Sequence, residues 1–327
     1  VLGYCEHKET MIWLMTACTQ KISVQYYPEN NVKDKRTVEV TLYENPKDPQ
    51  RCAEERISKI ILKDLTPGTK YFYSIFLDAK EQKFDYPLAF TTRILWEWRA
   101  PAPNFKFIAG SCNYINDSAY DRPGTPYGKD PGIFNTMASL RADMMIWLGD
   151  NVYLREADYS SESGIRYRYA HTRKDKSLQR FFATQPNYAI WDDHDFGPDD
   201  ASRSYVMKDV TKDCFINYWP NKTFGEDGQG IYTKVSNSDC DFFLLDGRTF
   251  RDDARTDETL NPQKTQLGAK QMAWLKNELI TSHAVFKFIC TGGQVLNENT
   301  DKETFNLYKN ERAELIRFIT DNKIEGV

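Results

Sequence analysis

Met144-Met145-Ile146-Trp147-Leu148-Gly149-Asp150-Asn151-Val152-Tyr153 is the stretch that decides the fold. Its apolar run is too short for a helix and is closed by Gly-Asp, so it reads as a strand buried on both faces, as parallel sheets contain. At the C-terminal end of that strand stand a carboxylate and, a turn later, a phenol. The same order recurs on either side. Phe105-Lys106-Phe107-Ile108-Ala109 runs into Gly110-Ser111-Cys112-Asn113, and Tyr188-Ala189-Ile190-Trp191 runs into Asp192-Asp193-His194-Asp195. A thiol, a phenol, several carboxylates and an imidazole converging at strand ends need cations among them if the anions are to stay ionised. The pattern implies a binuclear metallohydrolase.

Working outward, Ile133, Phe134, Met137 and Leu140 recur at helical spacing, and so do Leu178, Phe181 and Phe182 ahead of Pro186. Two further strand-like runs, Asp241 to Leu245 and Val285 to Ile289, end in Asp246-Gly247-Arg248 and Thr291-Gly292-Gly293-Gln294, with a helix predicted between them over about 268–280. Such alternation predicts an α/β domain with its site at the carboxyl ends of the strands. Before residue 100 a period of two prevails instead, in Ile22-Val24-Tyr26, Val38-Val40-Leu42, Tyr71-Tyr73-Ile75-Leu77 and Leu88-Phe90, broken by turns such as Pro28, Asn45-Pro46 and Pro67-Gly68. This predicts a small all-β sandwich. Tyr71, opening a strand after Pro67-Gly68, is set as in the tyrosine corner of immunoglobulin and fibronectin type III domains. Pro101-Ala102-Pro103 marks a linker, so the predicted division is 1–100 and 101–327.

Composition excludes several classes. A chain of 327 residues, 40% hydrophobic, can bury a large core, and no apolar run approaches the roughly 18 residues of a membrane span. A net charge of −4 without basic clustering argues against a nucleic-acid groove. The 7 cysteines are odd in number and scattered, which is no disulfide framework and leaves the compartment unread. Oligomeric state is not legible.

At this point the residues resemble a family. Gly110-Ser111-Cys112, Gly149-Asp150-x-x-Tyr153 and Trp191-Asp192-Asp193-His194-Asp195, followed by Phe196-Gly197-Pro198-Asp199-Asp200-Ala201, look like the signatures of the PhoD-like (alkaline phosphatase D) metallophosphatases. Asp246-x-Arg248 and Gly292-Gly293-Gln294-Val295-Leu296-Asn297 match runs seen there as well. The resemblance implies a four-layer α/β/β/α metallophosphoesterase fold behind the fibronectin-like domain. It also implies hydrolysis of phosphate esters by metal-activated hydroxide, Fe3+ and Ca2+ as cofactors with other divalent metals as alternatives, and a periplasmic or secreted location.

On that footing Cys112 and Tyr153 are candidate iron ligands, since thiolate and phenolate favour a trivalent iron over zinc. Asp150 is the candidate bridge between cations, with an Asx-turn or helix cap as its plain alternative. Asp192 and Asp193 are expected metal ligands, Asp193 for the second metal, and the alternative for the whole acidic run is a solvated loop. His194 matches the histidine that supports the leaving oxygen as general acid. Asn113 is a candidate phosphate contact or calcium ligand. Arg166 and Arg248 either reach the phosphate or form salt bridges that hold the boxes in place. His7, His171 and His283 read as surface residues.

Asn151 stands where the family commonly has Gln, and Asp199 where it has Asn. The run Asn310 to Ile319 predicts an amphipathic helix with an Asn cap, and Ile324 to Val327 should open another core strand. The family's later Gly-Asp-x-His-His run does not follow, so the natural protein is expected to continue and to supply a further His ligand. A reading from another class remains: a cell-surface adhesion or glycan-binding module with a structural α/β part, suited by patches such as Trp96-Glu97-Trp98. Indifference to chelators would mark it. Within enzymes, a phosphodiesterase of the phospholipase D type is separated by comparing p-nitrophenyl phosphate with its bis ester.

Overall fold

The computed structural model describes residues 1–19, 21–42, 55–300 and 303–327. The Asn45-Pro46 turn and Cys52 lie outside them. The chain begins with strands β1 (Leu2–Cys5), β2 (Thr10–Thr16), β3 (Lys21–Pro28), β4 (Arg36–Thr41), β5 (Arg56–Leu62), β6 (Lys70–Leu77), β7 (Lys80–Glu81) and β8 (Ala89–Thr91). They form one antiparallel sheet in the order β1-β2-β5 and another in the order β4-β3-β6-β7, with β8 also on β6. The alternation read in β3 and β6 is borne out: Ile22, Val24, Tyr71, Tyr73 and Ile75 are buried and join Ile12, Ile60 and Leu62 of the facing sheet in one cluster. The Tyr71 hydroxyl accepts a hydrogen bond from the Thr66 amide at 2.9 Å, closing the Pro67-Gly68 bend. Cys18 is disulfide-bonded, so the cysteines are not all free thiols.

The second region contains β9 (Phe107–Gly110), α1 (Ile133–Ser139), β10 (Met144–Leu148), α2 (Glu162–Lys174), α3 (Lys176–Thr184), β11 (Asn187–Ile190), α4 (Asp193–Phe196) and α5 (Lys208–Tyr218). After these come β12 (Thr233–Asn237), β13 (Cys240–Leu244), α6 (Ala269–Thr281), β14 (Phe286–Cys290) and α7 (Lys309–Asp321). Strand β10 lies between β9 and β11, parallel to both, with Trp147 opposite Gly110 and Leu148 opposite Ile190. Three strands in register and running the same way must end on one edge, and there the motifs of the sequence meet. In β13, Phe242 and Leu244 enter the core shared with the parallel sheet, while Phe243, with Leu245 just past the strand, joins the cluster with Leu275, Leu279 and Leu315 of α6 and α7. That is the period of two of a strand covered on both faces.

The two regions meet closely. The Trp13 indole donates to Asn217 O at 2.8 Å, Asn187 Nδ2 to Leu2 O at 3.2 Å, and Lys59 Nζ to Ile216 O and Trp219 O at the end of α5. Gly3 passes so near Pro220 that a Cβ on it would stand 2.8 Å from the proline Cβ. The last helix differs from its sequence reading. Asn310 does not cap α7; its side chain donates to Pro262 O, and the first amides of the helix, Lys309 N and Asn310 N, are taken at 3.0 and 3.1 Å by the Glu258 carboxylate. A carboxylate from a distant loop satisfies the free N–H groups and complements the helix dipole. Beyond α7, Lys287 N donates to Gly326 O at 2.7 Å, so the tail lies beside β14.

Candidate metal centre

Sharp turns deliver the site residues. Cys112 and Asp150, each just past its strand, adopt left-handed backbone with φ of 62° and 51°, and Gly149 has φ of 100°. Non-glycine residues held there are strained by roughly 1–3 kcal/mol, a state typical of functional loops. The turns support one another: Cys112 N donates to Gly149 O at 3.2 Å and Asn113 N to Asp150 O at 2.7 Å. The acidic run is no loop. Asp192 caps the one-turn helix α4, with Asp195 returning its side chain to the Asp192 amide at 3.0 Å. Asp195, fully buried, also accepts from Asn151 N and Val152 N at 3.0 and 3.1 Å, locking the second motif to the third. Burial first, then neighbouring Asp150, drives its carboxyl well above the ordinary range.

Asp150 is the meeting point. Its Oδ2 is 3.7 Å from Cys112 Sγ and 3.2 Å from the Tyr153 hydroxyl. Ligand atoms of Asp150, Asp193 and His194 lie within 4.8 Å of one another, and so do those of Asp193, Asp199 and Asp200. Burial, then Asp193 and Asp192, pushes Asp150 up to about 7. Burial also acts to raise Asp193, but Arg248 and His194 hold it below the usual carboxylate range. Burial and Asp150 raise the Tyr153 phenol. His194 packs its ring 4.4 Å from that of Tyr153, sets Nε2 3.4 Å from Asp199 Oδ1, and keeps Nδ1 buried without a hydrogen-bond partner among the described residues. Carboxylates crowded until one resists ionising, beside an imidazole nitrogen with no partner, are what a cation relieves. The donors present fit a metal.

Other expected residues are engaged by protein partners. Asp192, read as a metal ligand, is tied by Oδ1 to Arg248, at 2.7 Å from Nε and 2.6 Å from Nη2. Arg248 is buried and also pairs with Glu303, so it takes the salt-bridge alternative. The Arg166 guanidinium pairs at 2.8 Å with Glu162, one turn back on α2. Asn113 Nδ2 donates to Asn151 O at 3.2 Å and so closes the loop. Of the other histidines, His283 is exposed, while His7 and His171 are partly buried on backbone carbonyls.

The profile of the PhoD-like phosphatase family matches residues 119–327. The chain belongs to that family. Alkaline phosphatase D of Bacillus subtilis (strain 168) is 23% identical over 274 residues, which is 70% of this chain and 45% of that protein. The chain thus spans under half the length of this curated relative. The solved structure of PhoD superposes with a TM-score of 0.75 at 17% identity, covering 100% of this chain and 69% of that one. Purple acid phosphatase PPD1 from yellow lupin (Lupinus luteus) seeds follows at 0.60 and 13%, covering 99% and 56%. These likenesses show a mixed α/β metallophosphatase fold. Sequence reading missed Arg155, whose guanidinium carbon lies 5.4 Å from the Tyr153 ring centre. No spacing rule marks a lone arginine after a turn.

Proposed function

We propose that this chain carries the centre of a metal-dependent phosphate-ester hydrolase. The supporting observation is the convergence of Cys112, Tyr153, Asp193 and His194 on the Asp150 carboxylate. Cys112, Asp150 and Tyr153 would hold Fe3+, while Asp150, Asp193 and neighbouring carboxylates would hold a second cation of the Ca2+ type, Asp150 being shared. Bound there, the cations supply a water of lowered pKa and neutralise charge that grows on the phosphoryl oxygens. Asp195 and the Asn113 amide keep the two turns in register. His194 is the proton donor to the leaving oxygen, from Nε2, the ring atom that faces the exposed Asp199. The layers of helices α1–α3, two inner sheets and helices α6 and α7 are read as the α/β/β/α sandwich, residues 1–100 as a fibronectin III-like domain and 101–327 as the catalytic one. The Cys18 disulfide suits an oxidising, periplasmic or secreted setting. No helix among the described residues is long and apolar enough to cross a membrane.

The test is made on the complete natural polypeptide, with metal analysis, visible absorbance and phosphate-ester turnover measured together. Tyr153→Phe should bleach a charge-transfer band, and His194→Ala should slow turnover by about 10²–10⁴-fold with metals retained. An iron-free, colourless protein at full activity removes the iron assignment, and an unchanged rate removes His194 from the chemistry.

A further inference from the structure

Arg155 follows the Gly149–Tyr153 turn on a segment with a rigid base. Its amide donates to Asp158 Oδ2 at 2.9 Å, and that oxygen also accepts from Arg168 Nε at 2.8 Å. Arg168, 1% exposed, reaches on to Asp121 at 2.8 Å. The Arg155 guanidinium itself forms no ion pair among the described residues, although carboxylates crowd the neighbouring centre. Tyrosines hold it instead. Its carbon lies 5.0, 5.6 and 5.4 Å from the ring centres of Tyr114, Tyr127 and Tyr153, and Nε donates to the Tyr114 hydroxyl at 3.2 Å. Ring faces fix a guanidinium without neutralising it. A charged fork is thus held one ring away from the proposed proton donor, with Nη1 and Nη2 unengaged among the described residues.

We propose that Arg155 is the substrate-anion residue of this site, its two terminal nitrogens taking non-bridging oxygens of a phosphomonoester while Tyr114 and Tyr127 hold it in place. The proposal rests on the hydrolase reading above and narrows its substrate class. Arginine matches two phosphate oxygens with parallel N–H groups, which a lysine cannot do. A monoester dianion offers it more charge and one more free oxygen than a diester does, so the guanidinium favours monoesters.

The complete natural polypeptide with its metals is assayed on p-nitrophenyl phosphate, on bis(p-nitrophenyl) phosphate, and for competitive inhibition by inorganic phosphate. Arg155→Met keeps the apolar stem against the rings and removes the charge. It should raise KM for the monoester and the inhibition constant of phosphate together, by about 10–100-fold, the loss of a charge-assisted hydrogen bond. Turnover number and diester KM should move less, and Arg155→Lys should recover part of the loss. If Arg155→Met melts lower than wild type, Arg155→Lys becomes the deciding variant, and its monoester KM must exceed the wild-type value. Unchanged KM and phosphate inhibition, or a loss confined to turnover number, overturns the assignment while leaving hydrolysis intact. A wild type that cleaves neither ester and does not bind phosphate overturns the hydrolase reading, and this proposal with it.

Discussion

Arg248→Met should cost about 3–5 kcal/mol of stability, because it strips the counter-charge from buried carboxylates and leaves them uncompensated. The guanidinium is 2% exposed and touches Asp192 at 2.6 Å, Glu303 at its other edge and Asp193 at 3.8 Å. At such separations each pair is worth about 4 kcal/mol of attraction at an effective dielectric of 20, offset by the cost of desolvating both partners. Burial already pushes the Asp192 carboxyl up, with Arg248 the opposing influence, so removing the arginine drives Asp192 towards the neutral form. Urea unfolding of wild type, Arg248→Met, Asp192→Asn and the double variant gives the coupling directly. The double variant should be less destabilised than the sum of the singles by about 1–3 kcal/mol. A loss below about 1 kcal/mol for Arg248→Met, accompanied by a large rise in KM, would refute the argument and return Arg248 to the role of phosphate contact.

Gly149→Ala should lose about 2–5 kcal/mol in thermal or urea unfolding, from a positive φ and from overpacking together. A Cβ there would stand 2.7 Å from Asp192 Cβ and 2.9 Å from its backbone nitrogen. Full retention of stability would mean the turn is softer than its geometry. Lys59 gives a pH signature, since burial lowers its pKa from 10.5 to about 8. The unfolded chain then binds more protons than the folded one between those values, so wild-type stability relative to Lys59→Met should rise by roughly 3 kcal/mol across that window and be lowest below it. A difference that stays flat from about pH 7 to about pH 10.5 rules out a buried ammonium.

What was legible in the sequence, and what was not, follows from the range of the forces involved. Strand β10 could be read almost to the residue because a strand buried on both faces is an unbroken apolar run, and Gly149 announces the turn that ends it. Strand β12 was missed for the opposite reason. Thr233 to Asn237 lies at the edge of its sheet and carries polar residues that give no period. Local chemistry also brought Cys112, Asp150, Tyr153, Asp193 and His194 forward, since each lies in the segment that follows a strand. Sequence could not assign Asp192 and Asp193 to different partners, although they are adjacent. Consecutive residues at a helix start diverge, and Asp192 meets Arg248 and, through it, Glu303, groups that are neighbours only in the folded chain. The same reasoning covers the Glu258 carboxylate at the start of α7 and the tyrosines around Arg155. A ligand set at strand ends can be read where apolar patterning fixes the strands. The buried charges that hold those ligands are chosen by tertiary contact, and there the Arg248 cycle tests the fold and the proposed centre together.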